Sequence, residues 1–169
     1  MKNTTYLDKL KAKGPQFIFV AKPATILSTK YPTVYIDGSY DTTKKISGWG
    51  FVVVENGKQI HEECGHVDDS PFGSRNITGE IMSSVFALKW ADKNNIPMVV
   101  IYHDYIGLGQ WAAGHWKTKA PISIKYKELL GKIKCKAEFR HVKGHTGNVW
   151  NEAVDKLAEQ GKFRKLWKI

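Results

Sequence analysis

Val34-Tyr35-Ile36-Asp37-Gly38-Ser39 opens the part of the chain whose reading decides the fold. Three residues that favour extended backbone run into an acid and then into Gly-Ser, which predicts a β-strand with Asp37 at its C-terminal end. Trp49-Gly50-Phe51-Val52-Val53-Val54 reads as a buried second strand. Glu55-Asn56-Gly57-Lys58 contains an Asn-Gly hairpin turn, and Gln59 to His66 returns as a third strand. The three predict an antiparallel meander.

Working outward, a polar loop from Asp68 to Asn76 leads into a helical pattern. Ile81, Ser84, Val85 and Leu88 recur at i, i+3, i+4 and i+7, and Met82 and Phe86 widen the stripe. Asn76 or Thr78 can cap this helix, and Glu80 falls in its first turn, beside the positive helix end. Pro97 breaks the pattern. Met98-Val99-Val100-Ile101-Tyr102 is a short, wholly apolar strand of the parallel kind, with Asp104 just past its end. Helices follow around Ile106 to His115 and from about Ile122 to Ile133. Ala137 to Val142 reads as a last strand, and Val149 to about Lys162 as a final helix with Val154, Leu157, Ala158 and Gly161 inside. The order βββαβααβα predicts an α/β fold: a five-stranded mixed sheet flanked by helices. In the other direction, residues 1–30 are basic and weakly patterned, with one apolar run from Phe17 to Ala21. They read as an N-terminal extension, packed or mobile, on a domain spanning 31–169. Trp49, Trp90 and Trp111 read as core, and Trp150 as a cover for the last helix's start.

The 169 residues suit one domain with a full core. Lys and Arg number 26 against 16 Asp and Glu, a net charge of +10. Such an excess favours polyanionic partners, because basic side chains release counterions from a phosphate backbone. It equally fits a solubilising surface, and charge alone does not choose. Cys64 and Cys135 form no CxxC pair and have no Cys/His set nearby, which argues against structural zinc. Two reduced thiols are expected. Without a secretory signal or a spanning segment, the expectation is a cytoplasmic monomer with no membrane partner.

Taken singly, each acid is a solvated carboxylate, and Asp41, Asp68, Asp69, Glu128 and Glu138 are read that way. Asp37, Glu80, Asp104 and Asp155 differ. If the first and fourth predicted strands are parallel neighbours, Asp37 and Asp104 emerge at one sheet edge, where open α/β sheets bind ligands. Glu80 opens one helix, and Asp155 lies in the first turns of another. Four like charges together are unfavourable unless a cation neutralises them. Hard oxygen donors suit Mg²⁺ or, in its place, Mn²⁺. Two such ions about 3.5–4 Å apart stabilise the attacking and leaving oxygens of a phosphoryl displacement.

These residues resemble type-1 ribonuclease H, in the form lacking the long basic protrusion. The resemblance rests on Tyr35-Ile36-Asp37-Gly38-Ser39, Asn76-Ile77-Thr78-Gly79-Glu80, Tyr102-His103-Asp104, and Val142-Lys143-Gly144-His145-Thr146-Gly147 followed by Asn151-Glu152-Ala153-Val154-Asp155. It covers about Thr33 to Gly161. The last block is the most specific, since His145 precedes Asp155 by the family's ten positions. The resemblance implies cleavage of the RNA strand of an RNA–DNA hybrid, giving 5′-phosphate and 3′-hydroxyl ends. It implies two metal ions: Asp37 bridging both, Glu80 and Asp104 completing one, Asp155 the other. His145 is similar to the histidine that assists proton transfer or product release. Asn76 is similar to the residue that contacts the RNA near its 2′-hydroxyl, and Gly38, Ser39 and Lys143 fall at further substrate positions. Glu152 reads as a supporting carboxylate beside the ligands, with a surface role equally open.

Two departures stand out. Tyr105 follows Asp104 where the family often has Ser, and only 41 positions separate Asp104 from His145. Grip on a hybrid then falls to Lys117 and Lys119, to the basic extension, or to the tail Lys162-Phe163-Arg164-Lys165-Leu166-Trp167-Lys168. Two other readings stay open: a non-catalytic hybrid-binding module, and a different nuclease or recombinase of the same superfamily. Retention of all four acids speaks against the first, and the Gly-His-Thr-Gly block against the second.

Overall fold

The computed structural model describes residues 15–21, 30–142 and 148–169. Six strands form one mixed sheet: β1 (Phe17–Val20), β2 (Thr33–Asp41), β3 (Ile46–Glu55), β4 (Lys58–Asp68), β5 (Met98–His103) and β6 (Lys136–His141). Their order across the sheet is β1-β6-β5-β2-β3-β4. The described helices are α1 (Asn76–Lys93), α2 (Gly107–Ala112), α3 (Pro121–Leu130) and α4 (Val149–Gly161).

β2, β3 and β4 make the predicted meander. Asn56 and Gly57, both at positive φ, close its second hairpin, as a two-residue Asn-Gly turn requires. β5 and β6 add in parallel beyond β2. The sixth strand is the departure from the five expected. Phe17–Val20, read as part of an extension, pairs in parallel with β6, Phe17 beside Ala137 and Val20 beside Arg140. Gln16 secures it, its Nε2 donating to the carbonyls of Ile133 and Cys135.

Alternation along the strands divides the interior. Val34, Ile36, Trp49, Phe51, Val53, Val99, Ile101 and Phe139 pack with Ile81, Met82, Val85 and Leu88 of α1, together with residues of α2 and α3. Tyr35, Val52 and Val54 face the other way, onto Val154 and Leu157 of α4. The sheet is therefore covered on both faces. Trp49 is fully buried, whereas Trp90 and Trp111 pack on the core only in part. Both cysteines are free thiols. Among the described residues, no helix is long and apolar enough to cross a membrane.

Two acids read as solvated are buried. Asp69, 1% exposed, accepts from the amides of Ser74 and Arg75 and from the Thr78 hydroxyl, at 3.3, 3.0 and 2.6 Å. It organises the entry to α1, whose cap makes no side-chain hydrogen bond of its own, so neither Asn76 nor Thr78 plays that part. Glu138 lies on β6 with its carboxylate 2.9 Å from the Arg140 guanidinium, two residues along on the same strand face.

Candidate active site

Asp37 stands in the middle of β2, not at its end, because β2 stays paired with β3 through Asp41. Its pairing with β5 stops earlier, at Tyr35 beside Tyr102. Two residues further along each strand direction come Asp37, still within β2, and Asp104, just past β5, and both border the same hollow. A crevice opens where the parallel partner is lost and the antiparallel one continues, the switch point at which α/β sheets place ligands.

Glycines bring α1 against this point. A Cβ on Gly38 would lie 2.3 Å from the Asn76 carbonyl oxygen and 2.4 Å from the Glu80 amide; one on Gly79 would lie 2.1 Å from the Gly48 carbonyl oxygen. Only residues without side chains allow β2, β3 and α1 to meet backbone to backbone here. The glycine after Asp37 and the glycine before Glu80 thus set the two acids beside each other. Ser83 adds a tie, its hydroxyl 3.1 Å from the Asp37 carbonyl oxygen.

Glu80 sits at the start of the second turn of α1, not in the first as expected, because the helix begins earlier, at Asn76; it is 6% exposed. Its Oε1 accepts from the backbone amides of Asp104 and Tyr105 at 2.9 and 3.2 Å, which pins the chain just past β5. Burial, opposed by those two amides and reinforced by the charges of Asp37 and Asp104, pushes its carboxyl up to about 8. Beside it, His103 is buried with Nδ1 against the Tyr105 carbonyl, and burial lowers its imidazole to about 4.

From the opposite face, α4 brings Asp155, which is exposed. Asn148 caps this helix through the Trp150 amide at 2.8 Å. The Tyr35 hydroxyl is hydrogen-bonded with the same Asn148 side chain, linking α4 to β2.

Asp37, Glu80, Asp104 and Asp155 line one open cleft of about 760 Å³, together with Gly38, Ser39, Asn76, Tyr105, His141 and Glu159. Four elements thus deliver the four predicted acids to one hollow. They do not form a ready-made ligand set: among the described residues, no three His, Cys, Asp or Glu side chains are gathered closely enough to hold a metal ion. Two backbone amides hold Glu80 in its own place. The donors are all hard carboxylate oxygens, and Glu80 is buried where its charge is unfavourable without a counter-ion. Both facts fit a divalent cation of the Mg²⁺ kind.

The RNase H family profile matches residues 29–163. The chain belongs to the ribonuclease H family. It is 32% identical over 142 residues to a ribonuclease H of Chromobacterium violaceum, an alignment covering 76% of this chain and 92% of that one. Its fold is similar to that of RNase H1 from the archaeon Halobacterium salinarum, with a TM-score of 0.60, 20% identity, and coverage of 78% and 96%. It is also similar to LC11-RNase H1 solved in complex with an RNA/DNA hybrid, with a TM-score of 0.58, 17% identity, and coverage of 76% and 97%.

In this ribonuclease H, the other residues singled out from the sequence divide three ways. Gly38, Ser39 and Asn76 line the cleft. Glu152, exposed in the first turn of α4, does not line it. Lys143 and His145 lie outside the described residues. Sequence reading passed over Glu159, which lines the cleft one helical turn after Asp155. It accepts from the Ser39 hydroxyl and pairs with Lys162 at 2.8 Å. Lys162 and then Ser39 hold its carboxyl below the usual range. Its i+4 spacing from Asp155 was the available signal.

Proposed function

We propose that this ribonuclease H hydrolyses the RNA strand of RNA–DNA hybrids, leaving 5′-phosphate and 3′-hydroxyl ends, with two Mg²⁺ ions held by Asp37, Glu80, Asp104 and Asp155. Mn²⁺ is the expected substitute. The observation that carries this reading is that these four carboxylates, from β2, α1, the end of β5 and α4, line one cleft of a chain with net charge +10. When bound, such ions activate water and stabilise the leaving oxygen of an in-line phosphoryl displacement.

The chain's own residues do the positioning. Glu80 fixes the backbone that carries Asp104, and the glycine contacts at Gly38 and Gly79 hold Asp37 against Glu80. Asn76 and Ser39 line the cleft, which supports their contact with a bound strand. His145 and Lys143 keep the parts implied by the family resemblance: assistance to proton transfer or product release, and substrate contact. Cytoplasmic location and a monomeric state belong to the same proposal.

Incubating the wild-type chain with an end-labelled hybrid and Mg²⁺ tests it directly. The expected result is internal cutting of the RNA strand alone, with Asp104→Asn reducing the rate at least about a thousandfold while circular dichroism stays that of the wild type. Binding without cutting favours a hybrid-binding module instead, and cutting of duplex DNA favours another nuclease of the superfamily.

A further inference from the structure

Ser39 stands two residues beyond Asp37 on β2, on the same side of the strand, and lines the cleft. Its hydroxyl donates to Glu159 Oε1. The other carboxylate oxygen of Glu159, Oε2, lies 2.8 Å from Lys162 Nζ. Lys162 is itself steadied, because its stem passes over Gly48: a Cβ there would come 2.8 Å from Lys162 Cγ. Glu159 is thus held at one oxygen by an ammonium and at the other by the serine.

A serine hydroxyl has one proton and two lone pairs, whereas an ionised carboxylate only accepts. The proton of Ser39 is therefore directed to Glu159, and Ser39 has only lone pairs left to offer a second partner. Along its backbone a nucleic-acid strand presents phosphate and sugar-ring oxygens, which also only accept. The single donor there is the ribose 2′-hydroxyl. A lone-pair-only group in a cleft that receives a strand at its backbone has one productive partner, and a deoxyribose strand lacks it.

We propose that Ser39 accepts a hydrogen bond from a 2′-hydroxyl of the bound strand, and that Glu159 is the positioning residue that fixes the serine's polarity for this contact. The inference rests on the nuclease reading above and adds to it a named device for telling ribose from deoxyribose.

The test uses hybrids whose RNA strand carries one 2′-fluoro sugar, moved position by position past the cut site. Fluorine replaces the hydroxyl at similar size and cannot donate. The wild-type chain should show a position where fluorine lowers kcat/KM by about tenfold, the loss of one buried hydrogen bond. Expressed as the fluoro-to-ribo ratio within each variant, that penalty should vanish in Ser39→Ala. It should fall to about threefold or less in Glu159→Ala, where the serine can turn its proton toward the fluorine. Because each ratio is internal to one preparation, a smaller folded fraction does not move it. Identical positional penalties in all three proteins, or no penalised position in the wild type, overturn the proposal. A penalty lost in Ser39→Ala but kept in Glu159→Ala removes Glu159 from it. Failure of the wild type to cut the unmodified hybrid overturns the nuclease reading itself.

Discussion

On the α1 side of the cleft, Gly38, Gly48 and Gly79 bring backbone onto backbone, and Glu80 is 6% exposed with both of its amide donors on the neighbouring loop. On the α4 side the helix also rides close, a Cβ on Gly48 lying 2.4 Å from the Ala158 carbonyl oxygen. There, however, Asp155 and Glu159 project from exposed positions, and Glu159 is steered by one hydroxyl and one lysine. The first wall holds its acid by packing, at the cost of burying a charge. The second leaves Asp155 exposed and holds Glu159 by polar contacts with which water competes. An acid of the first kind has its position fixed before substrate arrives, and one of the second kind keeps room to adjust.

The contrast places the largest structural effect at the seam. Gly79→Ala places a methyl group against the Gly48 carbonyl, where neither backbone can withdraw, and should cost about 3 kcal/mol. Urea denaturation measures this, and a loss below about 1 kcal/mol would mean that the seam yields.

Glu80→Gln should move stability the other way. A carboxyl raised from 4.5 to about 8 keeps its proton in the folded chain after the unfolded chain has lost it. Its contribution to stability is therefore complete below pH 4.5 and is lost as pH rises toward 8. Glutamine keeps the accepting oxygen and removes the charge, so at pH 7 in EDTA the variant should gain about 2–3 kcal/mol while losing cleavage in Mg²⁺. An unchanged unfolding midpoint would contradict the burial argument.

The same variant uncovers an opposite slope. His103, lowered from 6.5 to about 4, takes up its proton in the unfolded chain first, so its contribution disappears as pH falls from 6.5 toward 4. In the wild type the two groups oppose each other between pH 4.5 and 6.5. In Glu80→Gln the histidine acts alone, and thermal unfolding across that window should show a loss of about 3 kcal/mol on acidification. The smallest effect belongs to the exposed wall: Asp155→Asn should abolish cleavage yet change stability by no more than about 0.5 kcal/mol.

What could be read from the sequence was local or motif-borne. The meander followed from β-rich runs around Asn56-Gly57, and the four acids from their order and flanking glycines. What escaped reading depends on distant partners. Phe17–Val20 is too short and too uniformly apolar to declare itself a strand, and becomes one by pairing with β6 more than a hundred residues later. Asp37 looked terminal because Gly38-Ser39 resembles a turn, whereas β3 keeps that stretch extended. Asp69 could not be distinguished from Asp68 without knowing that the turn folds back and offers it Ser74, Arg75 and Thr78. Glu138 had a visible clue in Arg140, two places on along a strand.

At the margin of the sheet, the amide of His66 donates to the Lys165 carbonyl at 3.1 Å, and the His66 carbonyl accepts from the Trp167 amide at 2.9 Å, with His66 and Leu166 forming a parallel bridge. β4 would otherwise offer a row of unsatisfied peptide groups to any stray extended chain. The short tail covers that row at His66 from within the same molecule, and Lys58, Glu62 and Glu63 leave the far end of the strand charged. Trimming back past Lys165 would expose a template for stacking one copy on another, and its first symptom would be self-association rather than lost catalysis.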